Sequence, residues 1–214
     1  MKDMTHLMKS ALAEGVGTFF LTLAALISGT PYVVGVTLGI FVYAIGARSG
    51  CNLNPAVSLG LIVTRRLPPL VGLLYIMVQI VGALLALLMV TFTGHLAPQY
   101  HAASPLLEFL GFGFLMVMVI AVTSKSVPQA ASGLAIGGAL AAGLVTSGGI
   151  LNPAVALAMG QALSPATWAT LLSGVCFSLL STLYLPQEQS ATQDMSKKQH
   201  SVSQDQFPSV PHAH

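Results

Sequence analysis

Residues 49–60 read SGCNLNPAVSLG, and residues 148–158 read GGILNPAVALA. Each stretch contains Leu-Asn-Pro-Ala-Val, once at 53–57 and once at 151–155. Asn is a favoured helix N-cap and Pro is favoured at the first helical position, so each motif predicts a helix start. The apolar segments that follow, about 55–64 and 153–162, are too short to cross a bilayer, which takes about 20 residues. We therefore expect two half-helices that enter a membrane and end inside it.

The composition of the chain indicates a membrane protein. Of its 214 residues, 54% are hydrophobic and 7% are charged, and the mean hydropathy is +0.80. Soluble domains usually carry about 25% charged residues, so most of this surface is expected to face the lipid bilayer. The formal net charge of +2 is small, and no basic face predicts nucleic-acid binding. Two cysteines, Cys51 and Cys176, provide no disulfide framework.

Long apolar stretches predict six membrane-spanning helices, near 9–29, 32–47, 69–92, 105–124, 128–146 and 165–185. With the two half-helices they define an all-α, multi-pass membrane domain over residues 1–185. The Lys and Arg residues all fall on one side of these spans, so both termini are expected on the cytoplasmic side of a cell membrane, either a plasma or an inner membrane. Residues 186–214, rich in Ser, Gln and His, have no apolar periodicity and predict a disordered cytoplasmic tail.

The chain is predicted to consist of two related halves. An intramembrane glutamate followed three residues later by glycine precedes each motif, at Glu14 and at Glu108. The first repeat covers about 9–92 and the second about 105–185. Each repeat has three spans, an odd number, so the second must be inverted, and its half-helix meets the first near the membrane midplane. Non-helical backbone at that depth is tolerated only where it is buried or lines a water-filled cavity, which favours a pore.

These residues resemble the aquaporin family. Stretches 49–60 and 148–158 look like the family's two NPA loops, and 13–19 (AEGVGTF) is similar to its first span. The resemblance implies a passive channel for water or small uncharged solutes such as glycerol, with an hourglass pore in each subunit and, commonly, a homotetramer. It also implies a pore centre formed by six motif residues, with the two asparagine amides as the central selectivity groups: Asn54, Pro55, Ala56, Asn152, Pro153 and Ala154.

The sequence departs from the family at the selectivity filter. Where the family's second motif continues with arginine, this chain has Val155. The other filter positions map to Val34, Gly149 and Leu144, with Leu140 as the alternative to Leu144. The predicted filter is therefore apolar and uncharged. Such a constriction could close by dewetting, or it could be wide enough for solutes larger than water, and the sequence leaves both open.

Three further residues have a functional and a structural interpretation. Glu14 and Glu108 could form an ion or proton pathway, since intramembrane carboxyls are often functional. The family instead implies that each accepts hydrogen bonds from the backbone of its own loop. Cys51, three residues before Asn54, either lines the pore and reacts with mercurials or is a small buried residue.

Two other classes of function remain open at this level. A gated or ion-coupled transporter would use the two glutamates, because inverted repeats also build secondary transporters. A non-conducting membrane scaffold would explain the absence of the filter arginine. The sequence predicts no enzyme, because it contains no convincing pair of a nucleophile and a base, and it predicts no cofactor and no metal site.

Overall fold

A computed structural model describes residues 2–95 and 103–185 of the chain, so the predicted tail at 186–214 lies outside the described residues. The described part is helical, with eight α-helices and one short 3₁₀ helix, Gln129–Ala131. In chain order the α-helices are α1 Lys2–Ser28, α2 Pro31–Ser49, α3 Pro55–Val63, α4 Pro69–Phe92, α5 Pro105–Thr123, α6 Ser132–Ser147, α7 Pro153–Ala158 and α8 Pro165–Ser181.

Helix starts follow the prolines of the sequence. Six of the eight α-helices begin at a proline, the residue whose fixed φ suits the first helical position and whose missing N–H leaves nothing unpaired there. Two ends, after α2 and α6, fall at Gly50 and Gly148, whose φ values of 90° and 63° are left-handed. Glycine adopts this conformation without steric cost, so the chain turns sharply there and enters each motif loop.

Five of the described helices, α1, α2, α4, α5 and α6 with its preceding 3₁₀ turn, are long and apolar enough to cross a bilayer. The helix α8 is also apolar but has only 17 residues. At 1.5 Å per residue it extends about 25 Å, and a series of turns continues the chain to Leu185. The helices α3 and α7, with 9 and 6 residues, are far too short to cross.

The helices pack as two similar sets. In the first set α1 packs against α2 and α4, and in the second α5 packs against α6 and α8. The short helices cross between the sets, since α3 packs mainly on α8 and α7 mainly on α4. The helices α2 and α6 join the two halves, and they pack so closely that a Cβ on Gly137 would clash with the backbone oxygen of Gly35. This arrangement confirms the predicted fold class of spanning helices, half-helices and inverted repeats.

Several predicted boundaries differ from the structure by a few residues. The helix α1 begins at Lys2 rather than near residue 9, because residues 2–8 contain no helix breaker. The helix α7 ends at Ala158 rather than near 162, where Gly160 turns with φ 72° and Gln161 N–H donates to the Ala156 carbonyl. The helix α8 ends at Ser181 rather than 185, where its last carbonyls are satisfied by tighter turns.

Candidate functional site at the meeting point of the half-helices

The two predicted asparagines lie next to each other at the N-termini of α3 and α7. The Asn54 Oδ1 accepts from the N–H of Ala56 at 2.9 Å and so caps α3, while its Nδ2 donates to the Leu151 carbonyl at 2.8 Å. The second motif repeats this geometry, with Asn152 Oδ1 accepting from Ala154 N–H at 3.0 Å and Nδ2 donating to the Leu53 carbonyl at 2.9 Å.

Each asparagine therefore has one amide proton left over. An asparagine Nδ2 carries two protons, and the contact with the opposite loop uses one of them. Both side chains also line a cavity, so the second proton of each amide can be directed into it. Of the other motif residues, Pro55 and Pro153 occupy the first helical positions, while Ala56 and Ala154 are fully buried.

The motif loops are held in a conformation that side chains other than glycine rarely adopt. Cys51, Leu53 and Leu151 have φ values of 54°, 48° and 55°, in the left-handed region. Such residues cost about 1–3 kcal/mol each and persist only where surrounding contacts fix them. In this conformation the carbonyls of Leu53 and Leu151 point to the asparagine of the opposite loop. The strained backbone of each loop therefore supplies the acceptor for the contact between the two halves.

Glu14 supplies the contacts that fix the first loop. It is fully buried, and its Oε1 accepts from Ser49 Oγ at 2.7 Å and from Asn52 N–H at 2.9 Å. Its Oε2 accepts from Leu53 N–H at 2.8 Å and from Gln79 Nε2 at 2.9 Å. Four donors thus surround one carboxyl group. Two of them are backbone amides of the irregular loop, which lipid could not satisfy.

Glu108 holds the second loop in a less complete way. Its Oε1 accepts from Ile150 N–H at 3.0 Å, from Leu151 N–H at 2.7 Å and from Thr170 Oγ1 at 3.3 Å. Its Oε2 is buried and has no hydrogen-bond partner among the described residues. A Cβ on Gly149 would collide with this oxygen, so glycine is the residue that allows the loop to pass the carboxyl group.

The four predicted filter residues line one cavity of about 210 Å³, which we call the apolar cavity. Val34 comes from α2, Leu144 from α6, Gly149 from the second loop and Val155 from α7. The alternative residue, Leu140, lines the same cavity one helical turn from Leu144. No charged residue lines it among the described residues. Its polar side chains are Asn54, Asn152, Thr30 and Asn52.

A second cavity of about 650 Å³ lies on the other side of the asparagines, and we call it the basic vestibule. The loop residues Ser49 to Asn52 form part of its wall, and Arg66 and Lys125 also line it. Asn52 lines both cavities, so the two adjoin at this residue. Cys51 is buried and lines the basic vestibule but not the apolar cavity.

Sequence reasoning assigned no role to three residues at this site. Gln79 and Thr170 each reach the glutamate of their own half, and Ser58 Oγ accepts from both Gln79 Nε2 at 3.1 Å and Asn52 Nδ2 at 3.2 Å. Gln79 gave a usable signal, since a lone amide in a long apolar span must find a polar partner. Ser58 and Thr170 gave none, because hydroxyls can bond to the preceding turn of their own helix.

Residues 1–124, more than half of the chain, match the sequence profile of the major intrinsic protein family. The chain is 32% identical over 199 residues to aquaporin Z of Bradyrhizobium diazoefficiens, an alignment covering 76% of this chain and 83% of that protein. It is 30% identical over 180 residues to nodulin-26 of Glycine max, covering 70% of this chain and 66% of that protein. The chain thus spans just under two thirds of nodulin-26.

The fold is similar to that of a solved structure, the aquaglyceroporin from Plasmodium falciparum. The TM-score is 0.60 at 19% sequence identity, over 83% of this chain and 95% of that one. At this identity the likeness concerns the fold. Together with the sequence matches it agrees with an integral, multi-pass membrane protein.

The chain belongs to the major intrinsic protein family, the family of the aquaporins. The members of this family are channels rather than enzymes.

Proposed function

We propose that the chain conducts water and small uncharged solutes of about glycerol size passively, along a path beside Asn54 and Asn152. The observation that carries this proposal is a reciprocal pair of hydrogen bonds at the wall of the apolar cavity: the Asn54 amide donates to the Leu151 carbonyl at 2.8 Å, and the Asn152 amide donates to the Leu53 carbonyl at 2.9 Å. Each amide has a remaining proton that can be donated to the oxygen of a passing molecule. The oxygens of water and of hydroxyl groups can accept hydrogen bonds from these amides.

The proposed filter consists of Val34, Leu144, Gly149 and Val155. Their side chains provide no charge, and a charged solute would lose its hydration in an apolar passage at a cost of many kcal/mol. The first turns of α3 and α7 also direct backbone N–H groups toward the asparagines, which disfavours a cation there. Without an arginine at position 155 the constriction has more room, which favours solutes larger than water.

The structure gives less support to an ion-coupled transporter. Neither Glu14 nor Glu108 is among the residues that line the apolar cavity or the basic vestibule. Both are engaged with backbone N–H groups of their own loops. A carboxyl group that leaves these partners to bind an ion would release strained backbone, so we propose a loop-supporting role for both glutamates.

The proposal is tested with purified protein in liposomes by stopped-flow light scattering. Water, glycerol, urea and ammonia are compared for the unaltered chain, for Val155→Arg and for the apolar control Val155→Leu. We expect Val155→Arg to reduce glycerol flux at least about tenfold with a smaller effect on water, because the long cationic side chain occupies the apolar cavity. An unchanged range of solutes in a folded, active Val155→Arg protein would remove position 155 from the filter.

The assembly and placement belong to the same proposal. We propose one membrane domain, residues 1–185, that assembles as a homotetramer in a plasma or inner membrane with its N-terminus in the cytoplasm. Exposed apolar side chains on the long helices, such as Leu88 and Phe92, provide surface for lipid or for neighbouring subunits. Native mass spectrometry gives the oligomeric state. Labelling of single cysteines near residue 2 in intact cells gives the side of the N-terminus.

A further inference from the structure

Asn52 lies where the two cavities adjoin. Of the described residues, it alone lines both the apolar cavity and the basic vestibule, and its side chain is only 6% exposed. Apolar side chains form much of the wall on both sides, with Leu38 and Leu115 in the apolar cavity and Val57 and Leu61 in the basic vestibule. A solute that moves between the cavities therefore passes the amide group of Asn52.

A chain of hydrogen bonds fixes the orientation of this amide. The Asn52 Nδ2 donates to Ser58 Oγ at 3.2 Å. Ser58 Oγ also accepts from Gln79 Nε2 at 3.1 Å, and the same Nε2 donates to Glu14 Oε2 at 2.9 Å. Because Glu14 holds the NH₂ end of Gln79 in place, the oxygen of Ser58 remains an acceptor. The Asn52 amide therefore turns its NH₂ group toward Ser58 and its oxygen away from it.

The Asn52 Oδ1 is an acceptor that the described residues leave unused, since the hydrogen bonds of Asn52 with them involve its backbone N–H and its Nδ2. This oxygen lies beside Gly50, 3.6 Å from the position that a Cβ on that glycine would take. Gly50 lines the basic vestibule. The acceptor therefore lies toward the vestibule, whereas the remaining amide protons of Asn54 and Asn152 are available from the apolar cavity.

We propose that Asn52 determines which solutes pass, because its Oδ1 accepts a hydrogen bond from an O–H or N–H group of the solute. This inference rests on the proposed channel function. An acceptor at Asn52 and donors at Asn54 and Asn152 complement a molecule that carries both kinds of group a few bonds apart. The solute class is therefore small polyols and amides, such as glycerol and urea.

Discrimination between solutes follows from the scarcity of other polar partners. Glycerol brings several hydroxyl groups into a passage whose walls are largely apolar, and each hydroxyl group that finds no partner costs free energy. A water molecule is smaller and keeps hydrogen bonds to other water molecules in the passage. A site built around buried polar groups also rejects molecules that leave those groups unpaired. Loss of the Asn52 oxygen should therefore reduce glycerol and urea flux more than water flux.

Two substitutions remove this acceptor and separate its chemistry from its size. Asn52→Leu keeps the approximate size of the side chain, whereas Asn52→Ala widens the passage, and in both the backbone N–H of residue 52 can still bond to Glu14. In stopped-flow measurements on liposomes, we expect each to lower the glycerol-to-water and urea-to-water flux ratios at least about fivefold, the effect of one lost hydrogen bond. The control Thr30→Val removes a hydroxyl group from the apolar cavity and should keep both ratios.

Ser58→Ala tests the same role without altering Asn52. It removes the acceptor that orients the amide, so both flux ratios should fall by a smaller factor. Adding Ser58→Ala to Asn52→Leu should produce no further fall, because the two residues act on one contact. Ser58→Ala decides the question by itself where the variants of Asn52 do not yield monodisperse protein.

The results that overturn the inference differ from those that overturn the channel function. A raised glycerol-to-water ratio in Asn52→Ala would mean that position 52 acts by size alone, and unchanged ratios in Asn52→Leu or in Ser58→Ala would equally remove Asn52 from the selection of solutes. An unaltered protein whose water and glycerol fluxes equal those of protein-free liposomes would instead refute the channel function, and this inference with it.

Discussion

Replacing Glu14 by leucine should damage folding far more than selectivity. The carboxyl group accepts four hydrogen bonds, from Ser49, Asn52, Leu53 and Gln79, over 2.7 to 2.9 Å. The side-chain donors can turn toward other partners, as Gln79 already donates to a serine hydroxyl. The N–H groups of Asn52 and Leu53 cannot turn, because the loop fixes them, so the substitution leaves both buried without an acceptor.

The size of the effect follows from these two amides. An unsatisfied buried donor costs about 1–3 kcal/mol, so the pair costs about 2–6 kcal/mol. Leu53 also has a left-handed backbone, with φ 48°, a conformation that costs about 1–3 kcal/mol. The substitution removes the hydrogen bond to Glu14 that holds Leu53 in this conformation. Glu14→Gln keeps one acceptor oxygen and should lose roughly half as much as Glu14→Leu. Since the native contacts of Glu108 involve one oxygen only, Glu108→Leu should cost less than Glu14→Leu.

The purified variants are compared in one detergent by the midpoint of their thermal unfolding and by the yield of monodisperse protein. Because membrane proteins often unfold irreversibly, the order of the midpoints at one scan rate is compared rather than a free energy. We expect the unaltered protein to have the highest midpoint, Glu14→Gln an intermediate one and Glu14→Leu the lowest. A Glu14→Leu protein with the native midpoint and an altered range of permeant solutes would refute the loop-supporting role and favour the ion pathway.

Two further substitutions test the loops. Gly149→Ala should lower the unfolding midpoint and the yield, because its Cβ would collide with the Glu108 carboxyl group, and the double variant with Glu108→Gln should not recover it fully. Mercury compounds should react with Cys51, which lines the basic vestibule, and so inhibit solute flux. The substitution Cys51→Ser should abolish that inhibition. The exposed Cys176 provides the control, since Cys176→Ser should leave the inhibition unchanged. Inhibition that follows Cys176 instead would contradict the assignment.

Much of the fold could be predicted from the sequence because its signals are local. Apolar runs of spanning length, prolines at helix starts and Asn-Pro at 54–55 and 152–153 each act within a few residues. The repeated motif and the odd number of spans in each half then determined the inverted arrangement. Boundaries that depend on tertiary context, such as the early end of α7 at Ala158, were predicted less well.

The site could be predicted only in part, because its contacts join distant residues. The motif identified Asn54 and Asn152, but not that each amide bonds a leucine carbonyl of the opposite loop. The filter positions could be named, yet Leu140 and Leu144 could not be separated, and both line the apolar cavity. Ser58 and Thr170 look like ordinary hydroxyls until the fold brings them to the site.

The sequence by itself determined that this chain spans a membrane in two inverted halves, because hydropathy, proline and repeat are properties of neighbouring residues. Only the tertiary structure decided which groups satisfy the strained loops and which side chains share a cavity. Arg66 lines the basic vestibule while Arg65 does not, although the two are adjacent in the chain. Such differences arise because packing between helices far apart in sequence sets the direction of each side chain, and no local pattern encodes that direction.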